Sequence, residues 1–125
     1  MHISKLTIAV FISLFASLAS AEDMTYLLNS TPNERAASQT RFMKTKLNLS
    51  QAALAKIQAI NQEYAEQIEP VLKGPGISLF KIRDIKAILA QKDDTLRSVL
   101  SPEQFDVYTN AKDELKQAMQ QDLTH

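Results

Sequence analysis

Cysteine is absent from this chain. A lipoprotein anchor on a cysteine after a signal segment is therefore excluded. No disulfide can support the fold in an oxidising compartment, so helix packing must do so alone. Glycine and proline are scarce, with two and four residues among 125, and the glycines form no phosphate-cradling loop. No segment alternates apolar and polar residues over a useful length, so strands are not expected. Histidine occurs only as His2 and His125. A Ser–His–Asp arrangement is excluded within the chain after the N-terminal segment, and the carboxylate–histidine helix motif of metal sites is missing. An excess of one charge is missing as well. Fourteen basic side chains stand against fourteen acidic ones, which leaves no electrostatic footprint for nucleic acid.

The N-terminal residues carry the clearest positive signal. His2 and Lys5 make a short basic start, and Lys5 is the last charge before Glu22. An apolar run over 6–18 follows, then Ala19-Ser20-Ala21, with small residues at the two positions a signal peptidase reads. A membrane span needs about 20 apolar residues, and this run is shorter and ends in a processing site. The expectation is a signal peptide over 1–21, cleaved after Ala21, with no membrane anchor left behind. Residues 22–125 suffice for one domain with a modest core. Without Lys5 they hold 13 basic against 14 acidic side chains.

The abundance of Ala, Leu, Lys, Gln and Glu predicts helices. Residues 22–30 show no usable period and read as a flexible leader. Thr31-Pro32-Asn33-Glu34 is a helix start: Thr31 caps, Pro32 suits the first position, and Glu34 closes a capping box. Ala36, Thr40, Met43 and Leu47 then form a narrow apolar stripe, with Phe42 beside it. Ser50 caps a second helix, whose stripe is Ala53, Ile57, Ile60, Tyr64, Ile68 and Val71. Pro70 predicts a kink there, or an end near Glu69 with a loose last turn to Lys73. Gly74-Pro75-Gly76 breaks the pattern. A third helix carries Ile82, Ile85, Leu89, Leu96 and Val99, with Lys92 where another apolar residue belongs. Ser101-Pro102-Glu103-Gln104 repeats the capped start, and Phe105, Tyr108, Ala111, Leu115 and Met119 follow on one face. The expected fold is all-α. Four amphipathic helices at about 32–47, 51–72, 78–99 and 102–122 surround a central antiparallel helical hairpin in one domain over 31–125.

Two strings each end one helix and open the next: Leu49-Ser50-Gln51-Ala52-Ala53 and Leu100-Ser101-Pro102-Glu103-Gln104. Paired in this way behind a signal segment, they resemble the LTxxQ motifs of the Spy/CpxP-like family of small bacterial envelope proteins. Leu49, Ser50, Leu100, Ser101 and Gln104 carry the resemblance, which covers about residues 34–119. Its physical content is a capping box preceded by a staple leucine. Ser replaces Thr in both strings, and Ala53 stands where the first would carry Gln, so that box is half made. The resemblance implies an all-helical, often cradle-shaped fold in the periplasm. It also implies ATP-independent chaperoning of unfolded proteins, or stress-response modulation of envelope signalling. Some relatives bind metal through His- and Met-rich segments, and this sequence lacks such segments.

No residue set suggests catalysis. Glu63, Glu66 and Glu69 share a helix face but have no histidine partner, and read as solvated. Asp93-Asp94 and Asp113-Glu114 read the same way beside Lys92, Arg97, Lys112 and Lys116. Neither a cofactor nor a metal is expected, and no enzyme. Apolar residues around the turn are more informative: Leu72, Ile77, Leu79 and Phe80 either close the end of the core or form a protein-binding patch. Phe42 and Ile88 are lesser candidates. Unfolded or envelope proteins are the expected partners, and a second subunit is a further candidate. The rival readings are a regulator docking on a sensor kinase domain and a non-catalytic structural helical module.

Overall fold

The computed structural model describes residues 22–76 and 79–124. The segment read as a signal peptide, Ile77 and His125 lie outside the described residues. Among those described the chain is all-helical, with six helices and no strand: α1 Glu22–Leu28, α2 Pro32–Leu47, α3 Gln51–Lys73, α4 Leu79–Arg97, α5 Pro102–Asn110 and α6 Lys112–Leu123. None is long and apolar enough to cross a membrane.

Three helix starts are fixed by local chemistry. Thr31 accepts from the Glu34 amide at 3.1 Å, and the Glu34 carboxylate accepts from the Thr31 amide at 3.0 Å. Ser101 and Gln104 exchange the same pair of bonds at 3.1 and 3.0 Å. Ser50 makes only the forward bond, from the Ala53 amide at 3.2 Å. Each pairing satisfies amides that the first helical turn leaves without carbonyl partners. The end of α2 turns through Asn48, in the left-handed region at φ 52°. Asn tolerates that conformation better than most residues with a Cβ.

Two elements depart from the sequence expectation. Residues 22–30, read as a flexible leader, contain α1, and Tyr26 and Ser30 are buried. Arg35 holds that segment down, donating to the carbonyls of Leu27 at 3.0 Å and Ser30 at 2.6 Å. These acceptors lie at or just past the end of α1, where helix carbonyls lack internal partners. The expected fourth helix is divided at Ala111, whose amide bonds the Tyr108 carbonyl at 3.2 Å in a tightened final turn. Thr109 and Asn110 immediately before it are weak helix formers. Pro70 does not end α3, which runs on to Lys73, where the Gly74 amide reaches the Val71 carbonyl.

The central cluster joins Met43 and Leu47 from α2, Ile57, Ile60 and Tyr64 from α3, and Leu96, Leu100 and Tyr108 from the second half. Helix α3 packs on both α2 and α4. Between α3 and α4, Tyr64 meets Thr95 at 2.8 Å, and Lys81 donates to the carbonyls of Leu72 and Gly74 at 3.2 and 2.9 Å. These contacts fall in opposite chain order, so the two helices run back along one another.

The inward face of α4 is rotated from the expected stripe. Ile82 and Leu89 are exposed, whereas Lys81, Lys92 and Leu96 are buried and Ile85 and Ile88 half-buried. Lys81 earns its place by placing an ammonium on the carboxyl end of α3, where the helix dipole favours a cation.

Candidate functional site

Side chains from all six helices converge on a cleft of about 210 Å³. Its apolar wall comes chiefly from Ala65, Ile68, Ile85, Leu89, Leu115 and Met119, with the Tyr26, Tyr64 and Tyr108 rings beside them. Leu89 is 37% exposed, which puts the cleft within reach of solvent. Four cationic residues line it, Arg35, Lys92, Lys112 and Lys116, against the single carboxylate of Asp93.

The charged residues are not equivalent. Arg35 is committed to the carbonyls of Leu27 and Ser30 and to Glu69, at 2.9 Å. Asp93, which the sequence reading placed on a solvated face, accepts from the Tyr108 hydroxyl at 3.0 Å through one oxygen and from Lys112 through the other. Lys112 also lies over the Tyr108 ring, 5.4 Å from its centre. Lys92 is different. It is 3% exposed and donates to the neutral amide oxygen of Gln39. None of the ion pairs among the described residues includes it.

These surroundings shift two titrations. Burial pulls the Lys92 ammonium down to about 8; the neighbouring Asp93 carboxylate partly offsets this and Lys112 adds to it. Burial, then the charge and hydrogen bond of Asp93, push the Tyr108 phenol well above its ordinary range. Among the described residues, no group of three or more His, Cys, Asp and Glu could hold a metal ion. Glu63 and Glu66 are exposed, while Glu69 pairs with Arg35.

The residues of the two Leu-Ser strings meet in space. Leu100 is buried in the central cluster, and Leu49 packs against the same cluster. Gln104 closes its own capping box and also donates to the Leu47 carbonyl at 3.2 Å, just before the first string. Sequence spacing pointed to the caps but carried no signal for that cross-link.

The residues flanking the Gly-Pro-Gly turn separate instead. Leu72 is 1% exposed and belongs to the interior, which removes it from any surface patch. Leu79 and Phe80 are 83% and 66% exposed, and Ile82 follows at 40%. The Arg83 guanidinium sits over the Phe80 ring, 5.0 Å from its centre. Phe42 is half-buried and lines a second, shallower cleft with Arg41, Lys46, Glu114 and Asp122. Ile88 is half-buried against the core. The convergent Lys92 cleft was not foreseen as a site, although the misplaced lysine on an apolar stripe marked it.

Comparison with protein-family models, with curated proteins and with solved structures finds no match to this chain.

Proposed function

We propose that this chain is a periplasmic, Spy/CpxP-like protein-binding protein, an ATP-independent chaperone for unfolded or stress-damaged envelope proteins. Its α3–α4 pair is the central hairpin of that reading, and its N-terminal segment is the export signal. The carrying observation is the exposure of Leu79, Phe80 and Ile82 together at the start of α4. Large apolar side chains grouped on a surface favour contact with another polypeptide. Arg83, Asp84 and Lys86 are exposed beside them, giving the mixed charge that suits varied clients. Weak capture on so small a surface needs no nucleotide for release, because a client leaves as it buries its own apolar residues. The work of the protein is binding, not turnover.

The purified protein is expected to suppress aggregation of a denatured model protein at near-stoichiometric ratio without ATP. The double variant Leu79→Ser with Phe80→Ser is expected to lose that suppression while its urea midpoint stays unchanged, since neither side chain is buried. Absence of suppression by the parent protein at excess overturns the chaperone reading. The small extent of the patch, confined to one helix end, favours a second reading: docking on the sensor domain of a membrane kinase. Capture from envelope extracts separates the two, because a regulator retains one dominant membrane partner and a chaperone a broad mixture. A structural helical module retains neither.

A further inference from the structure

Lys92 presents an unresolved electrostatic problem. An ammonium has three donors and carries a full charge, and its burial is unfavourable unless an anion or several acceptors compensate. Here one neutral oxygen, from Gln39, accepts from it. Asp93 makes no ion pair with it and is already shared by Tyr108 and Lys112. The residue is nonetheless held at 3% exposure on the wall of a largely apolar cleft.

We propose that the cleft binds a small amphipathic carboxylate, its apolar body among Ile68, Ile85, Leu89, Leu115 and Met119 and its carboxylate on the Lys92 ammonium. Three observations select this ligand class. The wall offers aliphatic and aromatic surface to an apolar body. Among the lining charges Arg35 is paired with Glu69 and Lys112 with Asp93, whereas the buried Lys92 ammonium is in no ion pair among the described residues, and this favours an anion over a cation or a neutral molecule. Size follows from volume. A cavity of about 150 Å³ accepts benzene, so the space here suits a body of about eight non-hydrogen atoms, an alkyl or aryl monocarboxylate. The site is independent of the surface at Leu79 and Phe80, so either reading can fail alone.

Hexanoate and benzoate are the probes, titrated into the full protein and followed by backbone amide chemical shifts. Both are expected to saturate one site, with shifts concentrated on residues lining the cleft. Hexanamide has a similar body without the charge and is expected to bind about tenfold more weakly or worse, the loss of one charge-assisted hydrogen bond. Hexylammonium is expected not to bind there. Lys92→Met is expected to lower hexanoate affinity by about tenfold or more while retaining helical circular dichroism. Equal affinity for hexanoate and hexanamide, unchanged hexanoate binding in the folded variant, or no shifts in the cleft at millimolar probe overturns the proposal. If Lys92→Met does not fold, the carboxylate–amide comparison on the unaltered protein decides the question.

Discussion

Arg35 and Glu69 form an ion pair at 2.9 Å in which the arginine side chain is 3% exposed and the glutamate side chain 23%. The same guanidinium holds the Leu27 and Ser30 carbonyls, so one side chain joins α1, α2 and α3. Removing one partner of a buried pair leaves a poorly compensated charge, and here it would also take the arginine from the Ser30 carbonyl and leave the Leu27 carbonyl only the Ser30 hydroxyl at 3.3 Å. Arg35→Ala is therefore expected to destabilise by about 3 kcal/mol in urea denaturation. Glu69→Gln is expected to cost less, since the carbonyl bonds remain. Hydrogen exchange should show α1 opening first in the arginine variant. Unchanged protection around Tyr26 would falsify the tether.

Deeper in the interior, Asn61 is fully buried and its amide nitrogen donates to the Thr40 hydroxyl at 3.0 Å. Thr40 in turn donates to the Ala36 carbonyl at 2.8 Å. The Asn61 carbonyl oxygen has no hydrogen-bond partner. Thr40→Val leaves the Asn61 amide nitrogen only the weak Met43 sulfur acceptor at 3.6 Å and is expected to cost about 1–3 kcal/mol. Combining it with Asn61→Leu removes both polar partners, and the double variant is expected to be closer to the parent than Thr40→Val alone. A double-mutant cycle by chemical denaturation measures this. Additive losses would mean that the bond contributes nothing of its own.

The helix caps allow a ranking. Ser50→Ala removes one side-chain bond and is expected to cost about 1 kcal/mol. Ser101→Ala likewise removes one side-chain bond, from the Gln104 amide, because the Ser101 backbone amide still reaches the Gln104 oxygen, and is expected to cost about the same as Ser50→Ala. Gln104→Ala loses both its bond from the Ser101 amide and its reach to the Leu47 carbonyl, so it loosens the corner between α2 and α3 as well. Thermal unfolding of the three variants gives the order. An unshifted midpoint for Gln104→Ala would show that neither the second half of the box nor the reach to Leu47 has energetic weight.

Those caps were legible from the sequence because every participant lies within three residues of its partner, a range over which residue type and spacing nearly determine the bond. The stripe of α2 was legible for a similar reason: Ala36, Thr40, Met43 and Leu47 are all buried, and the buried residues that it misses, Arg35 and Ser38, are polar ones bonded to distant segments. Helix α1 was not, because its docking depends on Arg35 and, through it, on Glu69, far along the chain. The face of α4 was misread because hydropathy counts Lys81 and Lys92 as outward. Both are buried, their polar ends met by oxygens of other segments. At the turn, spacing grouped Leu72 with Leu79 and Phe80. The continuation of α3 through Pro70 carries Leu72 inward, while α4 begins with Leu79 and Phe80 facing solvent.

Lys92 also sets the pH dependence of stability. Its folded value, about 8, lies below the ordinary 10.5. Below about pH 8 folded and unfolded chains both carry the proton, and the fold bears the full cost of the buried ammonium. Between about 8 and 10.5 the unfolded chain holds more protons than the folded one, so the free energy of unfolding rises with pH. The difference corresponds to about 3 kcal/mol at most. Tyr108 acts in the opposite sense. Its phenol is raised, so above about pH 10 the unfolded chain loses a proton that the folded chain keeps, and stability falls. Urea midpoints are therefore expected to climb from pH 8, reach a maximum near about pH 10 and then decline. Lys92→Met is expected to abolish the climb, keep the decline and raise stability at neutral pH, since a buried charge gives way to an apolar side chain of similar length. A parent protein whose stability stays flat between pH 8 and 10, or a variant that still climbs, would place the charge of Lys92 in water and not in the cleft.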